Sequence, residues 1–462
     1  MRFARRARPK AGSTERAGPN TSTHNRQQDS GIMSTIRPIP AIRYATDDNF
    51  VDLSSRLSPP YDVLDESDKA ALLDRDARNF VAIDLPHTPP KAAGPAEKYA
   101  AANKTLRDWL QDGTMVRDAV PQLYVYHQRY TLSGAEHVRR KFFARLRLEP
   151  FGTGGVFPHE RTFGGPKEDR LALTKATQCN LSPIFGLYED AENAVSRKLK
   201  SALPAAPLAR GMLDGVESIL WGVSDPTVID AVAEMMQSKP IYIADGHHRY
   251  GTGLLYRDWL TQEQGTLPPE HPANYVLCVC CAMEDPGLLI LPTHRVLPEI
   301  QVSAEFLAAD PEIETLPLKA TDPDEAVRML ADLGPQAIAV HASGAGGFTA
   351  VRPRSADILD ALEPDHSPAW RRLGLAFLHG YVLERLVKPK KAGGSDPAIR
   401  YIKAGPDAVD VAAGTGGTAF LMQPTTMEEM RGVCGAGDLM PHKSTYFYPK
   451  LASGLVVNPL AD

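Results

Sequence analysis

Cysteine is scarce in this chain of 462 residues: there are five, and Cys278, Cys280 and Cys281 share one apolar run, Tyr275 to Met283. Cys179 and Cys434 have no close cysteine neighbour, which argues against thiol-bound zinc and against a disulfide framework. Reduced, structural thiols and a cytoplasmic setting fit that usage. No uninterrupted apolar run approaches the ~18 residues a membrane-spanning helix needs, so no membrane partner is expected. Charge of neither sign is in excess, and a formal net charge of −5 lacks the basic surplus that draws proteins to nucleic acid. Missing too are a Gly-x-Ser-x-Gly elbow, a Rossmann glycine fingerprint after a first strand, an EF-hand loop and any repeat of 20–50 residues.

What is present reads as α/β or α+β, with a mixed-sheet core and a mostly helical inserted subdomain. The first 30 residues hold seven Arg or Lys, two acidic residues and almost no large apolar side chains. Residues 1–33 are therefore read as a disordered tail or an over-extended start ahead of Met33. Residues 34–298 form the expected α/β core. Within it, strand-like alternation on both sides of Leu132-Ser-Gly-Ala135 predicts a hairpin. Residues 299–400, rich in Ala, Leu and charge, are expected to form the mostly helical subdomain, apart from the strand-like Ala337-Ile-Ala-Val340, and 401–462 to return to the core as short strands.

Four polar clusters stand at strand ends or rigid turns. In Lys239-Pro-Ile-Tyr-Ile-Ala-Asp-Gly-His-His-Arg-Tyr250 an apolar strand breaks at Asp245-Gly246, and Leu254, Leu255 and Trp259 continue at helical spacing. Strand, tight turn and helix start aim free N–H groups and the positive end of the helix dipole at one point, an anion site made by Asp245, Gly246, His247 and Arg249. Adjacent histidines cannot point the same way on regular backbone, so His247 and His248 are expected to divide between packing and ligand. Pro158-His-Glu-Arg-Thr162 offers His159 and Glu160 for acid/base work and Arg161 for charge. It is not a helical zinc motif, because its fifth position is Phe163. Leu291-Pro-Thr-His-Arg-Val296 places His294 and Arg295 where an anionic group could bind. In Met440-Pro-His-Lys-Ser-Thr445, Gly437 precedes Lys443-Ser444 at P-loop spacing, but His442 replaces the second glycine, so Lys443 and Ser444 are expected to meet phosphate without a true P-loop.

Taken in order, Arg37-Pro38, Pro59-Pro-Tyr-Asp62, Pro158-His-Glu-Arg-Thr162, Ser182 to Tyr188, Ile243 to Tyr250, Asp285 to Arg295 and Pro441 to Pro449 resemble the DUF1015 family from about Ser34 to Asn458. His442 departs from the Gln expected there. Asp245-Gly-His-His-Arg249 is also similar, over some six residues, to a signature of the superfamily of ParB-like nucleases, sulfiredoxins and free serine kinases. That likeness implies nucleotide phosphate held by the backbone from Gly246 to Arg249.

The resulting expectation is an enzyme that binds a nucleotide or phosphorylated small molecule and transfers or hydrolyses a phosphoryl group. The Asp245–Arg249 turn and Lys443 would hold phosphate, Arg295 and Arg161 would neutralise charge, and His159, Glu160 or His248 would move the proton. Magnesium would accompany the nucleotide, with Asp245 or Asp62 as its carboxylate. A ParB-like nucleic-acid protein and a non-catalytic nucleotide sensor are the alternatives.

Overall fold

A run of eight apolar residues, Tyr275–Ala282, is buried at every position and lies near the middle of the main sheet. Side chains alternate across a strand, so Leu277, Val279 and Cys281 join one core layer while Val276, Cys278 and Cys280 join the other. Apolar layers on both faces are the reason this strand carries no polar alternation. In the computed structural model the described residues are 35–46, 50–90, 92–152, 154–161, 164–390 and 396–461. The expected tail over residues 1–33 and, from the quoted motifs, Thr162 and Phe163 lie outside them.

The main sheet runs Val51–Asp52, Ala209–Leu213, Val216–Val223, Leu123–Leu132, Ala135–Arg147, Tyr275–Ala282, Ile184–Tyr188, Ile241–Asp245 and Val156–Phe157, and Ile36–Arg37 joins the fifth of these. It mixes parallel and antiparallel pairs, giving an α/β fold. The expected hairpin forms. Leu132 pairs with Ala135 across Ser133 and Gly134, whose φ values of 49° and 80° give the left-handed backbone of a two-residue turn matched to strand twist.

A second, six-stranded sheet orders Ile313–Leu318, Phe348–Pro353, Ile338–Ala342, Thr418–Leu421, His294–Leu297 and Arg400–Ile402. Three of these strands come from residues 299–400, where composition predicts mostly helix; helices such as Pro323–Met329 and Pro368–Arg371 accompany them. Ala337, Ala339 and Ala350 are buried against small apolar neighbours, so alanine serves here as thin strand packing. The chain then closes on the first sheet: Tyr446–Tyr448 pairs with Leu289–Leu291, and Asn458–Pro459 with Cys179–Asn180. That return puts the C-terminal lysines beside the Asp245 turn. Among the described residues no helix is long and apolar enough to cross a membrane, and all five cysteines are buried and unbridged.

Candidate functional site

Strand Ile241–Asp245 ends at Gly246, and helix His247–Gln264 begins immediately after it. Gly246 has φ 89° and ψ 27°, a left-handed conformation that L residues enter at a cost. An added Cβ there would also lie 3.0 Å from Arg249 Nε and 3.1 Å from Ile184 Cα. Gly246→Ala is expected to destabilise the fold by about 2 kcal/mol, read as a lower denaturant midpoint at unchanged slope; an unchanged midpoint would mean that the turn relaxes freely.

This turn forms one wall of a cleft of about 1090 Å³. Asp62, His159, Glu160, Arg161, Asp245, Gly246, His247, His248, Arg249 and Lys443 all line it, so three of the four predicted clusters converge. Of the fourth, Thr293 reaches the cleft but the candidates His294 and Arg295 do not. Arg295 is fully buried and donates to the carbonyls of Thr293, His442 and Lys443, the last two at 2.9 Å. Its guanidinium also lies 5.4 Å over the Tyr401 ring. Burial draws its pKa down to about 10. Arg295 is thus a clamp on the loop that presents Lys443, which has a φ of 58°, and not a ligand contact. His294 accepts the Met422 N–H through Nδ1 at 3.0 Å, and burial pushes its pKa to about 4. Ser444 is buried, donates to the Pro441 carbonyl and is held at its own carbonyl by Thr425 Oγ1 at 2.7 Å, so its expected phosphate role gives way to a structural one.

Two further expectations are corrected inside the cleft. Asp245, proposed for magnesium, accepts Lys450 Nζ on one oxygen and Arg249 Nη2 on the other. Burial opposes its ionisation, yet these two cations hold its pKa well below the usual carboxylate range. Arg249, proposed for phosphate, gives its other nitrogen to the Pro183 carbonyl, so it braces the turn. Among the described residues no group of three or more His, Cys, Asp or Glu side chains is placed to hold a metal ion. Of the two carboxylates proposed for magnesium, only Asp62 remains.

The histidines divide as their adjacency demands. His247 is buried, and its Nε2 accepts the backbone N–H of His159 at 3.2 Å; burial, then the neighbouring His159, push its pKa to about 3. His248 lines the cleft, half-buried, and its pKa is lowered by that burial. His159, expected as a general base toward substrate, is only 3 % exposed and engaged at both ring nitrogens. Nδ1 lies 2.6 Å from the Ile243 carbonyl, which can only accept, so Nδ1 carries the proton and Nε2 accepts from Thr445 Oγ1 at 2.8 Å. Glu160 pairs with His442 at 3.2 Å; burial opposes its charge, but that hydrogen bond and the nearby histidines bring its pKa to about 2, making it a poor proton acceptor.

Sequence reasoning passed over Lys403, Thr445, Tyr446 and Lys450, which line the same cleft. Lys403 Nζ sits 4.2 Å and Lys450 Nζ 5.6 Å from the Tyr446 ring centroid. Burial and the repulsion of Lys450 and Lys443 lower the pKa of Lys403, which signals cations crowded on one wall. A faint signal for Lys450 was its place directly after the Pro441–Pro449 block; Lys403 had none.

Residues 36–342 match the family model described as Protein of unknown function (DUF1015). The chain belongs to the DUF1015 family. No curated protein matches it. Among solved structures it is similar to a free serine kinase in complex with AMP, at 13% identity, 63% of this chain, 83% of that chain and a TM-score of 0.30. It is similar to SbnI with a C-terminal truncation from Staphylococcus aureus, at 14% identity, 66% and 84% coverage and a TM-score of 0.33. A conserved hypothetical protein from Pyrococcus furiosus gives 13% identity, 66% and 92% coverage and a TM-score of 0.30.

Proposed function

We propose that this cleft binds a nucleotide or another phosphorylated small molecule and that the protein moves a phosphoryl group from it to water or a hydroxyl acceptor. The observation that supports this most is the meeting of Lys403, Lys443, Lys450 and Arg161 with the N-terminus of helix His247–Gln264 in one cleft. Cations and unsatisfied N–H groups aimed at one volume are what a polyanion requires, and they are worth most where water is partly excluded. The cleft's size suits a nucleotide, being close to the upper end of the ~300–1,000 Å³ typical of small-ligand sites.

Each residue has a distinct task in this reading. Lys443 and the first helical N–H groups hold phosphate. Lys450 and Arg249, committed to Asp245, keep the turn in shape. Asp62, which lines the cleft, would hold a magnesium ion carried in with the phosphates, and that ion would supply positive charge to the phosphoryl oxygens. His248, whose lowered pKa leaves it neutral near pH 7, takes the proton from the attacking hydroxyl or water.

Lys443→Ala is expected to weaken binding of a magnesium nucleotide by about 1.5–3 kcal/mol, the range for a hydrogen bond to a charged group, without lowering thermal stability. Calorimetry with magnesium ATP and ADP measures this, and phosphorus NMR of the wild type follows turnover. Equal affinity in the variant would remove Lys443 from the site, and a wild type that binds no phosphorylated ligand would sink the reading. His248→Asn should abolish turnover while leaving binding intact; turnover at the wild-type rate would exclude it as the base.

A further inference from the structure

Thr445 has a geometry that phosphate binding alone does not explain. Thr445 lines the cleft, and its hydroxyl lies 2.8 Å from His159 Nε2, while the far nitrogen of the same ring is fixed 2.6 Å from the Ile243 carbonyl. A hydroxyl, a histidine that accepts its proton and a third group that sets the histidine's tautomer form the arrangement that activates an oxygen nucleophile. The ring cannot turn away. It is buried, its edge meets the His247 ring at a centroid distance of 4.6 Å, and its backbone N–H is bound to His247 Nε2.

The segment carrying Thr445 is equally constrained. Arg295 holds the carbonyls of His442 and Lys443, and Thr425 holds that of Ser444. Arg139, fully buried, donates to the carbonyls of Tyr448 and Pro449, and Gln128 Nε2 donates to that of Lys450 at 2.9 Å. A hydroxyl positioned this firmly loses little entropy on reaching an attack geometry. Ser444 next to it is buried and spent on the Pro441 carbonyl, so Thr445 is the residue of this pair that lines the cleft.

We propose that Thr445 is a nucleophile that accepts the phosphoryl group, forming a covalent phosphothreonine with a nucleoside di- or triphosphate as donor. This rests on the phosphoryl-transfer reading above and deepens it. In the step, Oγ1 of Thr445 bonds to the terminal phosphorus and its proton passes to His159 Nε2. The bond from that phosphorus to the bridging oxygen breaks, and its electron pair leaves on the shortened nucleotide. Lys443, Lys403 and Lys450 line the cleft in which the new dianion forms. In the return step a hydroxyl acceptor or water attacks the phosphorus, His248 takes the attacker's proton, and Oγ1 leaves with the proton stored on His159.

The test incubates the full chain with magnesium and a nucleotide labelled in its terminal phosphoryl group, without acceptor, followed by acid quench and peptide mapping. Calorimetry with the same nucleotide is run in parallel. One phosphoryl group per chain is expected on the peptide containing Thr445, lost in Thr445→Val and kept in Thr445→Ser, with nucleotide affinity equal in all three. His159→Gln should slow labelling about 100-fold if it folds, as removal of a general base does; the serine and valine pair decides the matter if it does not. A wild type that binds or turns over nucleotide yet carries no label at Thr445 overturns this proposal and leaves direct transfer standing. Label on another residue, or full turnover in Thr445→Val, does the same. A wild type that binds no nucleotide overturns both readings.

Discussion

Arg170→Met is expected to cost about 4 kcal/mol of folding stability. Arg170 is buried and bonds Asp169 through two nitrogens, at 2.8 and 2.6 Å, the Asp84 carbonyl at 2.6 Å and the Asp84 carboxylate at 3.5 Å. Its guanidinium also lies 3.9 Å from the centre of the Tyr61 ring. Methionine keeps much of the volume but leaves Asp169, which is fully buried, holding a hydrogen bond from Tyr99 Oη at 2.7 Å and no cation in place of Arg170. A buried carboxylate stripped of its cation costs far more than the net worth of the pair, and this asymmetry sets the magnitude. The double variant Asp169→Asn with Arg170→Met should recover part of the loss, because the stranded charge is gone. Denaturant unfolding measures both; a single variant within about 1 kcal/mol of wild type would show that the charge is accommodated elsewhere. Tyr61 opens the short helical turn Tyr61–Val63 that carries Asp62, so loosening Arg170 also frees one lip of the cleft.

Asp245→Asn is expected to cost about 3 kcal/mol and to abolish ligand binding. Asparagine preserves the shape of the turn but removes the counter-charge of Lys450 and Arg249, whose side chains are 26 % and 9 % exposed. The lower end of the buried-pair range applies because Asp245 itself keeps 21 % exposure. The same group predicts a pH dependence. Its folded pKa lies below the ordinary 3.8, so its contribution is complete above that value and is lost as pH falls toward the folded pKa. Acid unfolding of Asp245→Asn should lack the part of the wild-type curve that lies below pH 3.8. Superimposable wild-type and variant curves would mean that the two ion pairs contribute no net stability.

Much of the fold could be read locally. The hairpin at Ser133-Gly134 and the strand and helix meeting at Gly246 follow from periodicity and turn residues that lie next to one another in the chain. Within residues 299–400 the run Ala337-Ile-Ala-Val340 stands out from the helical composition and falls in the strand Ile338–Ala342, whereas Ile313–Leu318 and Phe348–Pro353, each carrying a proline and polar residues, lack the clean apolar alternation that marks a strand.

The chain by itself determined that a helix starting at a glycine turn would carry histidines and an arginine, since only neighbouring residues are involved. Tertiary structure alone decided what each cation does. Lys450 meets Asp245 across 205 positions, Thr445 meets His159 across 286, and Arg295 reaches the Lys443 carbonyl across 148. An arginine's sequence neighbours do not reveal whether it will face water, a ligand or three carbonyls. Burial and the partners that compensate it are set by which distant segments the two sheets bring together.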